Sequence, residues 1–200
     1  MQLINLFLFL TMLLTYQQFM SKDGSLDQDF LEVEALEVHE NKLILHPNEG
    51  LMYLGKTPFS GAGMSYYANG VLAKRTEYVN GKRNGLLQKW FEDGSIAFEA
   101  HYNDNKLNGP VKSWWSNKNL RSSGNFLAGK SHGLQQQWYS SGVKFKEMNL
   151  VDGKEVGMQR AWRENGKIYV NYQAKNGRIY GLKRANLCFE LDDETVVYND

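Results

Sequence analysis

Residues 124–131 read GNFLAGKS, a letter-for-letter match to Gly-x-x-x-x-Gly-Lys-Ser. In a phosphate-binding loop the backbone amides close around phosphate oxygens and the lysine neutralises their charge. The pattern needs a strand before it and a helix after it. The same corner spells Gly129-Lys130-Ser131-His132-Gly133, the Gly-x-Ser-x-Gly of a nucleophile elbow. That chemistry needs an acid and a histidine farther along the chain, and no histidine follows His132. His39, His46, His101 and His132 show no metal-ligand spacing, and carboxylate pairs such as Glu92-Asp93 fall on turn sequences. The single cysteine, Cys188, lies between Leu187 and Phe189, an apolar setting that reads as an inert buried thiol and leaves no partner for a disulfide. These side chains indicate no cofactor, no metal and no small-molecule substrate, and they give no basis for an enzyme.

The glycines have a different purpose, visible in their spacing. Gly61, Gly85, Gly109, Gly133, Gly157 and Gly181 stand 24 residues apart. Nine residues after a block start come Gly70, Gly94, Gly142 and Gly166, with Lys118 as the exception. Twenty residues after come Gly81, Gly129, Gly153 and Gly177, with Asn105 as the exception. Asparagine tolerates positive φ better than other non-glycine residues, so that departure is conservative. Five residues after each start stands a ring: Tyr66, Trp90, Trp114, Trp138 and Trp162. In-phase registers over five blocks are the signature of a repeat array. Lys130 therefore follows a block-end turn, as Lys82 and Lys154 do, and Gly133-Leu134-Gln135 opens a strand where a phosphate loop would need a helix.

Each block reads as two short strands. In the second block, LLQKWF leads to Asp93-Gly94, and SIAFEAHY leads to a turn at residues 103–108. Runs this short are below typical helix length, and Asn-Gly and Asp-Gly are preferred in two-residue hairpin turns. The expected fold is all-β: a single-layer antiparallel β-meander of 24-residue hairpin repeats. Period-two alternation places Leu134, Gln136 and Trp138 on one side of their strand and Gln135, Gln137 and Tyr139 on the other. The ring column then runs along one face with ring near ring. Such a ladder is mainly structural, and an exposed aromatic groove is its functional alternative.

The glycine, the aromatic strand, the turn Tyr67-Ala68-Asn69-Gly70, and then Glu77-Tyr78-Val79-Asn80-Gly81-Lys82 and Asn84-Gly85 resemble the MORN repeat variant. The arrangement is similar to bacterial YwqK-type proteins, and the lead-in NEGLMYLGKTPFSG resembles the half-repeat that opens such arrays. The resemblance covers about residues 48–184. It implies a non-catalytic, MORN-like module that binds and neutralises a protein partner, as an antitoxin does. The departures are Asn117-Lys118 at a turn glycine, and Ala174 at the place of Tyr78 and Tyr102 with Tyr172 two residues earlier.

Net charge of +1 hides segregation: residues 61–184 carry 20 Lys and Arg against 9 Asp and Glu, residues 20–60 carry 3 against 8, and residues 185–200 carry 0 against 5. Positives spread over all blocks read first as a solvated face, second as a surface for acidic protein, anionic lipid or a phosphate-bearing ligand; a pI of about 7.8 argues against nucleic acid. Four segments follow. Residues 1–19, with the apolar run MQLINLFLFLTMLL, suit a signal peptide or membrane anchor and hence export or anchoring; a cytoplasmic protein follows if the run is instead part of the domain. Residues 20–49 form an acidic lead-in, whose stretch at 30–45 reads as strand in a short sheet, with helix as the alternative and with carboxylates able to pair with the basic blocks. Residues 50–184 are the array, and residues 185–200 a capping hairpin turning at Asp192-Asp193-Glu194. The expected partner-binding residues are Trp90, Trp114, Trp138 and Trp162 with Lys89, Lys112 and Arg160. The alternative reading is an envelope-associated structural protein that contacts an anionic membrane surface through the basic array.

Overall fold

The computed structural model describes residues 36–182. The expected export segment, residues 20–35 of the lead-in, Cys188 and the terminal hairpin lie outside the described residues. The repeat strands are β5 (Gly61–Tyr66), β6 (Leu72–Val79), β7 (Lys82–Trp90), β8 (Ile96–Asn103), β9 (Lys106–Trp114), β10 (Leu120–Leu127), β11 (Lys130–Ser131), β12 (Gly133–Trp138), β13 (Lys144–Val151), β14 (Lys154–Trp162), β15 (Ile168–Lys175) and β16 (Arg178–Leu182). Before them come β1 (Glu37–His39), β2 (Leu43–His46), β3 (Leu51–Leu54) and β4 (Thr57–Pro58). Strands β5 to β16 pair in chain order as the expected antiparallel meander, with β11 pairing β10 beside the main path. Two details lie outside that expectation. The strand β1 adds to β5 in parallel, and β2, β3 and β4 form a separate three-stranded sheet. Residues 50–60 thus serve the small sheet, and the repeat strands begin at Gly61.

The lead-in does supply strand, broken by a 3-10 turn at Glu40–Lys42 where its alternation shifts phase. Its carboxylates reach the first repeat: Glu40 meets Lys74 Nζ at 2.6 Å and Glu37 meets Arg75 Nε at 3.6 Å. The small sheet packs Leu43 and Phe59 on Tyr78, with Val38, Met52 and Leu54 around them, which closes this end of the array with apolar contact.

Two turn types alternate, and only one was expected. At block ends both central residues have positive φ, as in Asn80 at 49° and Gly81 at 79°; this type I′ geometry matches strand twist. In mid-block the turn holds three residues. The Phe91 amide donates to the Ser95 carbonyl at 2.8 Å and the Gly94 amide to the Phe91 carbonyl at 2.9 Å, enclosing Glu92-Asp93-Gly94. The expected two-residue turn at Asp93-Gly94 is therefore corrected to a type I turn closed by one left-handed residue. That position asks for positive φ once, and Lys118 supplies it at 71°.

Every hairpin also carries a bulge beside its ring. Lys89 pairs with Phe98 but Trp90 with Ile96, leaving Ala97 extra. The same one-residue shift precedes Tyr66, Trp114, Trp138 and Trp162. The extra residue packs on the first residue of the turn: Phe145 on Tyr139 with ring centroids 5.0 Å apart, Arg121 over Trp115 at 4.6 Å, and Arg163 over Tyr169 at 5.9 Å.

Direct pairing defines the two faces. Thr76, Leu87, Ala100 and Val111 are successive cross-strand neighbours, and farther along so are Gln135, Met148, Gln159 and Tyr172. This face, called the Leu87 face, holds every buried side chain of β6 to β15, including Tyr78, Ala161 and Ala174. Where Ala174 replaces a tyrosine, Tyr172 is buried two residues away on the same face. The opposite face carries the rings and is called the Trp face.

Candidate binding face

The glycine-lysine corner can be placed first. Ala128 and Gly129 form a type I′ turn with φ of 49° and 86°, Lys130-Ser131 is strand, and Gly133 opens another strand. No helix follows, so neither a phosphate loop nor a nucleophile elbow is built there. Among the described residues no group of His, Cys, Asp and Glu could hold a metal ion. A cavity of about 470 Å³ lies between the lead-in and the first repeats, lined by Glu40, Met52, Lys74, Thr76, Tyr78 and Arg83. It pairs Glu40 with Lys74 and sets no base beside a nucleophile.

The expected site residues are split by the sheet. Trp114 and Lys112 share a face, as do Trp162 and Arg160, being two residues apart on one strand. Lys89 precedes Trp90 and belongs to the Leu87 face, where its Nζ lies 5.8 Å from the Phe98 ring centroid. The four tryptophans are half-buried. They do not stack on one another. Each ring pairs with Ile96, Leu120, Lys144 or Ile168, and Lys144 sits 5.7 Å over the Trp162 ring. The expectation of ring near ring is corrected for this reason: repeats recur every two strands, about 10 Å, which is beyond ring contact.

Of the basic partners of the rings, Arg160 is compensated by a carboxylate. Lys112 stands directly across from Glu99, and Arg160 across from Glu147 with Nη1 at 3.7 Å from its carboxylate. A hydrogen bond from Lys144 Nζ at 2.9 Å holds the Glu147 carboxyl below its usual range, with a further bond from Gln136 helping. Around Trp138 and Trp162, Lys144, Glu147 and Arg160 form one charge cluster on the Trp face.

At the type I′ end of the same face the balance reverses. Lys82, Lys106, Lys130, Lys154 and Arg178 recur every 24 residues, each just after its turn. Lys82 meets Asp104 at 2.7 Å, whereas Lys130, Lys154 and Arg178 have no carboxylate partner among the described residues. Directly across from Lys82, Lys106, Lys130, Lys154 and Arg178 stand Val79, Asn103, Leu127, Val151 and Lys175 in turn. Leu127 is 53% exposed, Leu134 44%, Val151 43%, Val156 38% and Tyr180 53%, all on the Trp face. Unpaired cations interleaved with exposed aliphatics form one band. Sequence reading missed it, although the column of Lys and Arg was legible at the same period as the glycines.

Two further columns are structural. The turn-opening ring donates to the carbonyl of the next block's tryptophan: Tyr67 Oη to Trp90 at 2.7 Å, Trp115 Nε1 to Trp138 at 3.1 Å, and Tyr139 Oη to Trp162 at 3.0 Å. In three blocks a polar residue sixteen after the start, Glu77, His101 or Asn149, meets backbone groups at the next block's opening. Glu77 accepts from the Leu86 amide at 2.7 Å, and Asn149 Nδ2 donates to the Met158 carbonyl at 2.7 Å.

With the geometry described, the family comparison falls into place. The family model of the MORN repeat variant matches residues 60–80 and 83–104. The match spans two consecutive repeats of the array and is a similarity of those segments to that family. The matched segments are β5 to β8 with their turns, and the later hairpins repeat their spacing, bulge and turn geometry. No curated protein matches the chain.

Proposed function

We propose that the MORN-type array is a non-catalytic module that holds another protein on its Trp face, at the type I′ end. The observation that carries this reading is the band of Leu127, Leu134, Val151, Val156 and Tyr180 set among Lys130, Lys154 and Arg178. Exposed apolar patches rimmed by charge mark interaction sites, and repeat arrays use one extended face for them. The chemistry suits a partner segment that presents carboxylates between apolar side chains, since its anions meet cations with no competing partner. MORN repeats act in general as protein- or membrane-binding modules, which agrees with this reading. The resemblance to YwqK-type proteins extends it to neutralising that partner, as an antitoxin or immunity protein does. Export or anchoring through residues 1–19 would place the encounter outside the cytoplasm.

The experiment is affinity capture with the full chain and its Lys130→Glu/Lys154→Glu variant. A protein captured by the wild type and by Lys89→Glu, but lost by the double reversal at unchanged thermal unfolding, supports the reading. Equal capture by all three overturns it. Salt-sensitive binding to anionic vesicles without protein capture would assign the band to lipid instead.

A further inference from the structure

We infer that the cavity between the small sheet and the first repeats takes a small amphiphilic anion, a carboxylate on an aliphatic tail, with Arg83 as its counter-ion. The cavity lies on the Leu87 face and is independent of the band proposed for a protein partner. Two departures from the repeat pattern meet there. Asn105 stands where other blocks place Gly81, Gly129, Gly153 and Gly177. Its side chain accepts from the Arg83 amide at 2.8 Å and donates to the Gly50 carbonyl at 3.1 Å. Beside it the Met52 amide donates to the Gly81 carbonyl at 2.8 Å, and the Gly81 amide to the Phe59 carbonyl at 2.7 Å. These bonds fasten the small sheet to the repeat turns, so the cavity wall is built into the fold. Arg83 is the second departure: at its register the later blocks carry Leu107, Ser131, Glu155 and Ile179.

Charge sets the sign of the ligand. The lining holds two cations, Lys74 and Arg83, and one carboxylate, Glu40, which Lys74 meets at 2.6 Å. Arg83 has no carboxylate partner among the described residues, and its guanidinium lies 4.5 Å from the Tyr102 ring centroid. A planar fork of donors is thus left for one anion, which brings the lining charge to zero. Burial pushes the Tyr78 phenol up, the Glu40 carboxylate adds to this and the Arg83 guanidinium opposes it, so the three groups share one electrostatic neighbourhood. The rest of the lining calls for a tail. Leu87 and Met52 are apolar walls, and Leu45, 55% exposed, adds an aliphatic side chain with surface to cover. The volume of about 470 Å³ falls in the range of small-molecule sites.

The probe is octanoate, titrated into the full chain and followed through backbone amide shifts. Shifts at Thr76, Leu87 and Asn105 should saturate. Acetate should bind at least about tenfold more weakly for want of a tail, and octylammonium should leave these amides unmoved. Arg83→Gln should weaken octanoate about tenfold or more. Leu45→Glu, a change at an exposed position, should weaken it as well at unchanged thermal unfolding, whereas Leu45→Lys should retain it. The inference is overturned by octylammonium moving the same amides, by Leu45→Glu or Arg83→Gln binding octanoate as the wild type does, or by the absence of saturable shifts at these three positions.

Discussion

Tyr139 Oη donates to the backbone carbonyl of Trp162, 23 residues ahead and 3.0 Å away. One repeat's turn is thereby pinned to the next repeat's ring strand. Tyr67 and Trp115 make the same bond to Trp90 and Trp138, so a phenol and an indole serve one geometric role. At the equivalent place Phe91 has no donor to offer. A neutral hydrogen bond of this kind is worth about 0.5–1.5 kcal/mol net. Tyr139→Phe should lose about that amount in denaturant unfolding, and Phe91→Tyr should gain up to about 1 kcal/mol by supplying the missing donor to Trp114.

Gly85 and Gly133 occupy the same register and have different surroundings. Gly85 has φ of +102°, and a Cβ there would run into the Glu77 carboxylate that accepts from Leu86. Gly133 has φ of +79° with nothing within 4 Å of a Cβ. Gly133→Ala should cost about 1 kcal/mol, the backbone strain alone. Gly85→Ala adds displacement of that carboxylate and should cost about 2–3 kcal/mol, read as a shift in the unfolding midpoint.

Tyr172 titrates late. Burial raises its hydroxyl first, and the bond it donates to Glu155 at 2.8 Å raises it further, to about 12. The protonated form is thus favoured by the fold. Its stabilising contribution is complete below the ordinary tyrosine value, about 10, and is lost as pH rises through about 12. Ultraviolet titration should show one tyrosinate forming well after the exposed ones, absent in Tyr172→Phe. A single uniform transition near the ordinary value in the wild type would refute the assignment.

Trp138→Ala should behave as a packing mutation. The ring is half-buried, pairs with Lys144, and its carbonyl is held by Trp115. Truncation should cost about 2 kcal/mol, below the 3–5 typical of fully buried rings. Chemical denaturation checks this. A variant of unchanged stability would return the column to the role of a free binding surface.

The period of 24, the hairpin per block and the turn glycines were legible because backbone φ restricts residue choice sharply at those positions. Lys118 and Ala128 show the limit, since both adopt positive φ without a residue type that announces it. The pinning column was hidden because Tyr67, Trp115 and Tyr139 share a donor position but not a side-chain type. The column that meets the next block's opening mixes Glu77 with Asn149 for the same reason. The exposed band at the type I′ end was not legible for a different cause. Alternation tells which residues share a face, but exposure depends on what covers that face. Leu127 and Val151 look like core residues in sequence, yet nothing among the described residues covers them. Lys112 and Arg160 look free in sequence, and Glu99 and Glu147 prove to stand across from them.

Which face meets the partner is tested most directly by a photo-crosslinking residue placed in the full chain at Leu134, on the Trp face, or at Lys89, on the Leu87 face. The account predicts a covalent adduct with the captured protein from position 134 and none from position 89. Adducts from position 89 alone would contradict it.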